Sequence, residues 1–334
     1  MIHAWETTQI IEKAALFAYC EGLRKRKRKL QLMETARDRV TREIVEADDL
    51  KLLAHVDTYG YVCHGHECGI QVFPRSYRPE NLLRAHFFAK TAHTATCDVA
   101  GEDDLRARGK KGSIAKELET SPGLSPASLR LIDTRVVMSP LAVPGGGNSR
   151  GGSCSATSGE ARHKPAGRRA ANSIRPICRA FLEFPYDRHL PLHIDGITTT
   201  TYQTVFKRLR AEGIKTFPQQ RIFYEKLAWG VAQESEDGLL IPLDAGEWEN
   251  KRLVRPYRAL VQWADWSQTA RTRLRNELEL ARQENMAAEK AGVKEKTFLF
   301  FIGAQNSDEL SQFVVSDQRL ICSVHGVLSF PKQE

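Results

Sequence analysis

Cysteine and histidine crowd into one stretch of this chain, and that crowding limits what the stretch can fold into more than any other feature. Residues 55–97 are 43 of 334 positions, where an even spread would place about two of the 17 cysteine and histidine side chains. They hold eight: Cys63, Cys68, Cys97, His55, His64, His66, His86 and His93. A short loop-rich segment with little apolar content of its own can be closed by Zn²⁺, which takes four sulfur or imidazole ligands tetrahedrally. Cys63 and Cys68, five apart on a turn that ends in Gly69, form the first half of such a site. The second half has two readings. His93 and Cys97 are four apart and would chelate from one face of a helix predicted from about Pro79 to Cys97. His86, followed by Phe87 and Phe88, is the competing ligand. The expected ligands are therefore Cys63, Cys68 and Cys97, with His86 or His93 as the fourth; His64 and His66 lie inside the loop, beside the ligands or facing solvent.

The order of features also carries a likeness. Ala36 through Ala47-Asp48-Asp49 leads to Tyr61-Val62-Cys63 and Cys68, then to a basic Pro/Arg stretch (Pro74, Arg75, Arg78, Pro79), then to His86-Phe87 and to His93 through Cys97. Over residues 36–100 this resembles the amino-terminal zinc-finger module of the bacterial competence-protein CoiA-like group, in which a tyrosine, two cysteines and a His-Phe pair precede another domain. Here four residues separate the first two cysteines where the group more usually has two, and Lys90 stands where a second histidine is expected. The resemblance implies action on or near DNA, often beside a nuclease domain, in competence, mobile-element or phage-defence settings.

Charge points toward nucleic acid on independent grounds. The formal net charge is +8. Residues 201–334 carry 19 Lys and Arg against 18 Asp and Glu, so the remaining +7 lies in residues 1–200. It concentrates at Arg24, Lys25, Arg26, Lys27, Arg28 and Lys29, at 106–111 and at 162–179, with Arg75 and Arg78 inside the cysteine-rich region. Basic segments flanking a zinc module suit a phosphate backbone, because each neutralised phosphate releases condensed counterion. The ordinary alternative is a solvated helix face. Apolar runs such as 298–303 are strand-length, and the amino terminus lacks a signal-peptide pattern, so no membrane role is expected. Seven cysteines, an odd number, argue against a disulfide framework and for a reducing cytoplasm.

The expected fold class is α+β: a small zinc-binding module with an amino-terminal helix, a flexible basic linker and a separate α+β domain. The expected boundaries are 1–35 for an amphipathic then basic helical segment, 36–104 for the zinc module, 105–173 for a largely flexible linker and 174–334 for the α+β domain. Within the module, strands are predicted at 41–45 and 52–56, and Cys63 and Cys68 at the tip of a β-hairpin. Within the last region, strands are predicted at 177–184, 190–194, 239–243 and 257–263, and helices at 200–211 and 221–231. The strongest helix runs from a Ser267 cap to Gly292, followed by strands at 297–302, 312–315 and 320–324.

No nucleophile elbow, phosphate loop or dinucleotide fingerprint is present. Glu249-Asn250-Lys251, with Asp237 or Asp244 upstream, matches the spacing of a metal-dependent nuclease, but its polar surroundings read as a surface loop. Trp229, Trp248, Tyr257, Trp263 and Trp266 read as core aromatics before stacking platforms. The expected function is that of a zinc-binding, nucleic-acid-binding protein, DNA before RNA, whose carboxy-terminal domain meets a protein partner. A metal-dependent nuclease with an unlocated active site and an interaction adaptor with a structural zinc are the alternatives.

Overall fold

Alternation of inward and outward side chains along two short aromatic strands builds the first sheet. The structure, a computed structural model, describes residues 32–53, 55–65, 67–121, 123–131, 168–210, 213–228 and 230–331. Of the expected helical segment 1–35, residues 1–31, with Arg24 to Lys29, lie outside the described residues, as do His66, Trp229, Cys20, Cys154 and most of the expected linker; residues 32–33 and 35 are strand rather than helix, drawn into the first sheet by pairing with residues 87–88 and 46. The sheet contains β1 (Leu32–Met33), β2 (Thr35–Asp38), β3 (Ile44–Glu46), β4 (Tyr61–Val62), β5 (Gln71–Arg75) and β6 (His86–Ala89), in the order β1-β6-β5-β4-β2-β3 with every pair antiparallel. Val72 and Phe87 point inward and are fully buried beside Tyr61, Ala36, Val45 and Leu50, whereas Phe73 and Phe88 point outward.

The chain continues through α1 (Glu102–Gly109), α2 (Ala115–Thr120), β7 (Ser128–Leu129), β8 (Ala170–Ala171), α3 (Ile174–Glu183), β9 (His193–Ile194) and the single turn α4 (Tyr202–Val205). Next come β10 (Phe206–Arg208), β11 (Ile222–Lys226), β12 (Gln233–Glu234), β13 (Gly238–Glu249) and β14 (Arg252–Gln262). The last elements are α5 (Gln268–Lys290), β15 (Lys296–Ile302), β16 (Ala304–Gln305), β17 (Gln312–Val315) and β18 (Ile321–Gly326). Four strands form a sheet in the order β10-β11-β15-β18, five form another in the order β12-β13-β14-β17-β16, and β8-β7-β9 make a small parallel sheet. The four-stranded sheet is buried on both faces. Phe298, Phe300 and Ile302 of β15 pack with Ile177, Cys178 and Phe181 of α3, while Leu299 and Phe301 pack with Leu239, Ile241, Tyr257 and Phe313 of the five-stranded sheet. The class is α+β, and no helix among the described residues is long and apolar enough to cross a membrane.

Several elements differ from the sequence expectation for identifiable reasons. Residues 177–183 belong to helix α3, with Phe184 as its C-cap, because Ile174, Ile177, Cys178, Phe181 and Leu182 share one face at helical spacing and Pro176 falls in the first turn, where proline is tolerated. Residues 222–226, expected in a helix, form a strand whose Ile222, Phe223, Tyr224 and Glu225 are all buried between layers. The helix expected at 200–211 stops after one turn, and 206–208 become a strand parallel to β11. The described residues within 52–56 (52, 53, 55 and 56) are not strand, since a 3₁₀ turn occupies 47–52. Residues 105–121, 123–131 and 168–173, expected as linker, are folded: Ile114, Leu118, Leu124, Leu129 and Ala171 join the α3 core. Arg168, in the basic stretch 162–179, donates to the carbonyls of Ser125, Pro126 and Pro191.

One buried cation ties the cysteine-rich sheet to the rest. Arg175 on α3 lies 2.9 Å from Asp48 and 2.6 Å from Glu277 of α5, and donates to the Ser323 carbonyl of β18 at 2.9 Å. Glu277 also accepts from the Ser323 amide. Burial disfavours every charge here, yet mutual attraction prevails: Arg175 is held firmly protonated by Asp48 and Glu277, and Asp48 is held at about 2, chiefly by Arg175. Around this centre Arg84 pairs with Glu284 at 3.0 Å, and Asn276 donates to the Pro79 carbonyl. Removing one member of a buried pair strands its partners, so Arg175→Leu is expected to destabilise the protein by about 3–5 kcal/mol in denaturant melts.

Glu46 behaves in the opposite way. Burial first, then the Asp49 charge, raise it to about 8 against the lowering pull of Arg169, Arg179 and Arg175, and its Oε1 has no hydrogen-bond partner among the described residues. A carboxyl raised on folding binds a proton that the unfolded chain has released. Its contribution is therefore present below its unfolded value and is lost as pH rises toward its folded one, with a slope of up to about 1.4 kcal/mol per pH unit. Glu46→Gln is expected to flatten the decline in stability between about pH 4.5 and 8, measured by denaturation across that range.

Candidate metal centre

Two segments with almost no regular structure bring four donors together. β4 and β5 pair as a hairpin, with Cys63 and Cys68 at its tip as expected. The Cys63 amide donates to the Ile70 carbonyl at 2.8 Å, and the Cys68 amide to the Gly65 carbonyl at 3.2 Å, so the tip folds back on itself. Gly69 adopts φ +54°, the left-handed conformation that glycine takes at least cost. The second segment follows β6, where the Cys97 amide donates to the Thr94 carbonyl at 3.1 Å in a turn that leads into a 3₁₀ helix at 98–101. His93 and Cys97 therefore converge from a tight turn, and the helix expected over 79–97 is replaced by strand β6 and loops. His86-Phe87-Phe88 are extended because Phe87 enters the sheet core and Phe88 leaves it, a two-residue period that a helix cannot satisfy.

Cys63, Cys68, His93 and Cys97 offer ligand atoms that all lie within 4.8 Å of one another. The Cys63 and Cys97 sulfurs are 3.7 Å apart, and His93 Nδ1 lies 3.4 Å from Cys68 Sγ and 3.3 Å from Cys97 Sγ. A tetrahedral ion with metal–sulfur bonds of about 2.3 Å and a metal–nitrogen bond of about 2.0–2.1 Å places sulfurs about 3.8 Å apart and sulfur and nitrogen about 3.6 Å apart. The four residues fit such an ion and can hold it. Of the two candidates for the fourth ligand, the structure brings His93 into the cluster and leaves His86 out: His86 is in β6, with Nδ1 3.2 Å from the Arg84 carbonyl.

The electrostatics suit bound thiolates. Burial pushes the Cys63 and Cys97 thiols up, so neither sheds its proton readily without a cation. For Cys68 burial is outweighed by the amides of Thr94 and Ile70 and by Cys97 and His93, which bring it to about 6. The Gly65 amide donates to Cys63 Sγ at 3.4 Å, and the Ala100 amide bonds Cys97 Sγ. Amide donors at each sulfur disperse the negative charge that three thiolates concentrate.

No family model, curated protein or solved structure matches the chain.

The other expected residues fall elsewhere. His64 is buried, not solvent-facing: desolvation first, then Arg169, lower it to about 4, and its Nε2 lies 3.8 Å from Glu102. His55 is exposed. Arg75 ends β5 and Arg78 lies in the loop beyond it; both are exposed and form no ion pair among the described residues. Asn250 and Lys251, with φ +48° and +66°, turn the β13–β14 hairpin, which places Glu249-Asn250-Lys251 at an exposed tip rather than on a buried strand. Trp263 and Tyr257 are core, and Trp266 Nε1 donates to the Ser316 carbonyl.

The position that sequence reasoning missed is Gly65. A Cβ there would sit 2.5 Å from Cys97 Sγ and 2.9 Å from Asp98 Oδ1. Its only signal is a glycine between two histidines inside the cysteine loop. Gly65→Ala keeps all four ligands yet is expected to weaken metal binding at least tenfold in chelator competition. Gly112→Ala, where the added carbon meets nothing within 4 Å, is expected to leave it unchanged.

Proposed function

We propose that this is a zinc-binding, nucleic-acid-binding protein of bacterial CoiA-like type, working in the cytoplasm on DNA before RNA. The observation that carries the zinc assignment is the set of four convergent donors, Cys63, Cys68, His93 and Cys97, all within 4.8 Å of one another, with three of the separations at 3.3–3.7 Å. Three sulfurs and one imidazole are the donor set that Zn²⁺ favours, and four protein ligands leave no open position for water or substrate, so the ion is structural. Its work is to tie the β4–β5 hairpin to the 93–97 turn, and so to set the strand that carries Phe88 beside the strand that carries Arg75.

The nucleic-acid assignment is supported by the charge bias toward residues 1–200 and by the exposed Arg75 at the end of β5 and Arg78 in the loop after it. The order of tyrosine, cysteines and His-Phe pair over 36–100 supports placing the protein in the CoiA-like group, and with it a role linked to mobile elements or phage defence. The carboxy-terminal layers, with their own double-sided core, are then free to meet a protein partner.

Metal analysis of the purified protein is expected to give about one zinc per chain, and Cys63→Ser with Cys68→Ser to abolish it. Zinc-loaded protein is expected to bind DNA with an affinity that falls steeply and log-linearly with salt. Absence of zinc, or no DNA binding at low salt, refutes the corresponding half.

A further inference from the structure

The outward face of the first sheet carries a second constellation, apart from the metal ligands. Phe73 of β5 and Phe88 of β6 are direct cross-strand partners, their ring centroids 5.6 Å apart. They face away from the core because their neighbours Val72 and Phe87 fill it. Tyr59, 66% exposed, meets the Phe73 ring edge-on at 5.7 Å. Cations lie over the rings: the Arg75 guanidinium carbon is 4.8 Å from the centroid of Phe88, and Lys90 Nζ is 4.3 Å from that of Phe73, so each ring shares one face with a cation that can itself meet a base or a phosphate. With Arg78 they wall a groove of about 520 Å³ that no carboxylate lines among the described residues. Arg75, Arg78 and Lys90 form no ion pair among the described residues, so their charge is left for something that binds.

We infer that this groove is a binding site for single-stranded nucleic acid, in which unstacked bases lie on the Phe73–Phe88 pair with Tyr59 at its edge, and backbone phosphates meet Arg75, Arg78 and Lys90. The chemistry favours a single strand over a duplex. Ring faces on an open sheet are useful only to bases whose own faces are free, and a duplex hides those inside its stack. Cations held over aromatic rings, in a groove that no carboxylate lines among the described residues, match the alternation of base and phosphate along one strand. The groove's size suits one or two nucleotides, and the strand continues over the flanking arginines. This inference rests on the nucleic-acid function proposed above and specifies its substrate and its surface.

The test uses the full-length zinc-loaded chain and fluorescence anisotropy with three probes of equal length, about a dozen nucleotides: an oligothymidylate, an oligouridylate and a mixed-sequence DNA duplex. One or both single strands are expected to bind more tightly than the duplex. Phe73→Leu and Phe88→Leu preserve apolar volume on the sheet but remove the ring face, and each is expected to weaken single-strand binding about five- to hundredfold while zinc content and circular dichroism stay unchanged. The exposed substitutions Arg75→Gln and Lys90→Gln, which carry no folding risk from the core, are each expected to reduce the log–log salt slope for single strands by about 0.7. Duplex bound as tightly as single strands, or single-strand affinity unaltered by both leucine variants and both glutamine variants, overturns the groove assignment and leaves the broader nucleic-acid function standing. Failure to bind any of the three probes at low salt overturns both.

Discussion

A single guanidinium buried among carboxylates holds this protein's layers in register. Arg175 bonds a 3₁₀ turn of the cysteine-rich sheet through Asp48, helix α5 through Glu277 and strand β18 through the Ser323 carbonyl, while its own helix forms one wall of the main core. Such a centre adds little net stability compared with an apolar replacement of equal volume, since every charge in it has been stripped of water. What it supplies is direction. An apolar joint tolerates sliding, whereas a bidentate cation with a carboxylate on either side accepts one arrangement.

That fixed placement lets a small sheet serve two purposes at once. Its inner face is filled by Val72, Phe87, Tyr61 and Leu50, and its outer face is left to Phe73, Phe88 and their cations. At one end, the hairpin tip and the turn after β6 have few backbone hydrogen bonds of their own, and the four donors meet there. The four-donor cluster and the aromatic face are joined by a very short stretch of chain, because β5 leaves the Cys63–Cys68 tip and β6 leads into the His93–Cys97 turn. The close approach at Gly65, where no side chain fits between the hairpin and Cys97, marks how tightly these two segments are drawn together.

The four-donor cluster was legible to a large degree, and the regular structure around it less so. Cys63, Cys68 and Cys97 stand out by residue type alone, because few roles other than metal binding cluster thiols in a short segment rich in histidine. The hairpin tip, helix α5 with its Ser267 cap, and strands β13 to β15, β17 and β18 were likewise visible from caps, glycine stops and apolar runs. The choice between His86 and His93 was not, because it depends on whether residues 86–89 are helical or extended, and that depends on pairing with β5 and β1, which are distant or nearly silent in the sequence. Residues 177–183 and 222–226 show the same difficulty from two sides: both are short apolar runs, one a helix on the sheet and the other a strand within it. Periodicity does not separate such runs when every face is buried.

By itself the sequence determined the chemistry: three thiols and a histidine able to gather a metal ion, a basic first half, and enough apolar strand and helix for an α+β core. The tertiary structure decided which histidine joins the thiols, which aromatic rings reach the surface and where Arg75 and Lys90 stand relative to them. The reason is one of range. Residue type and local spacing act over a few positions, whereas strand register, burial of Glu46 and Arg175, and the approach at Gly65 depend on segments tens to hundreds of residues apart, and no local pattern carries that information.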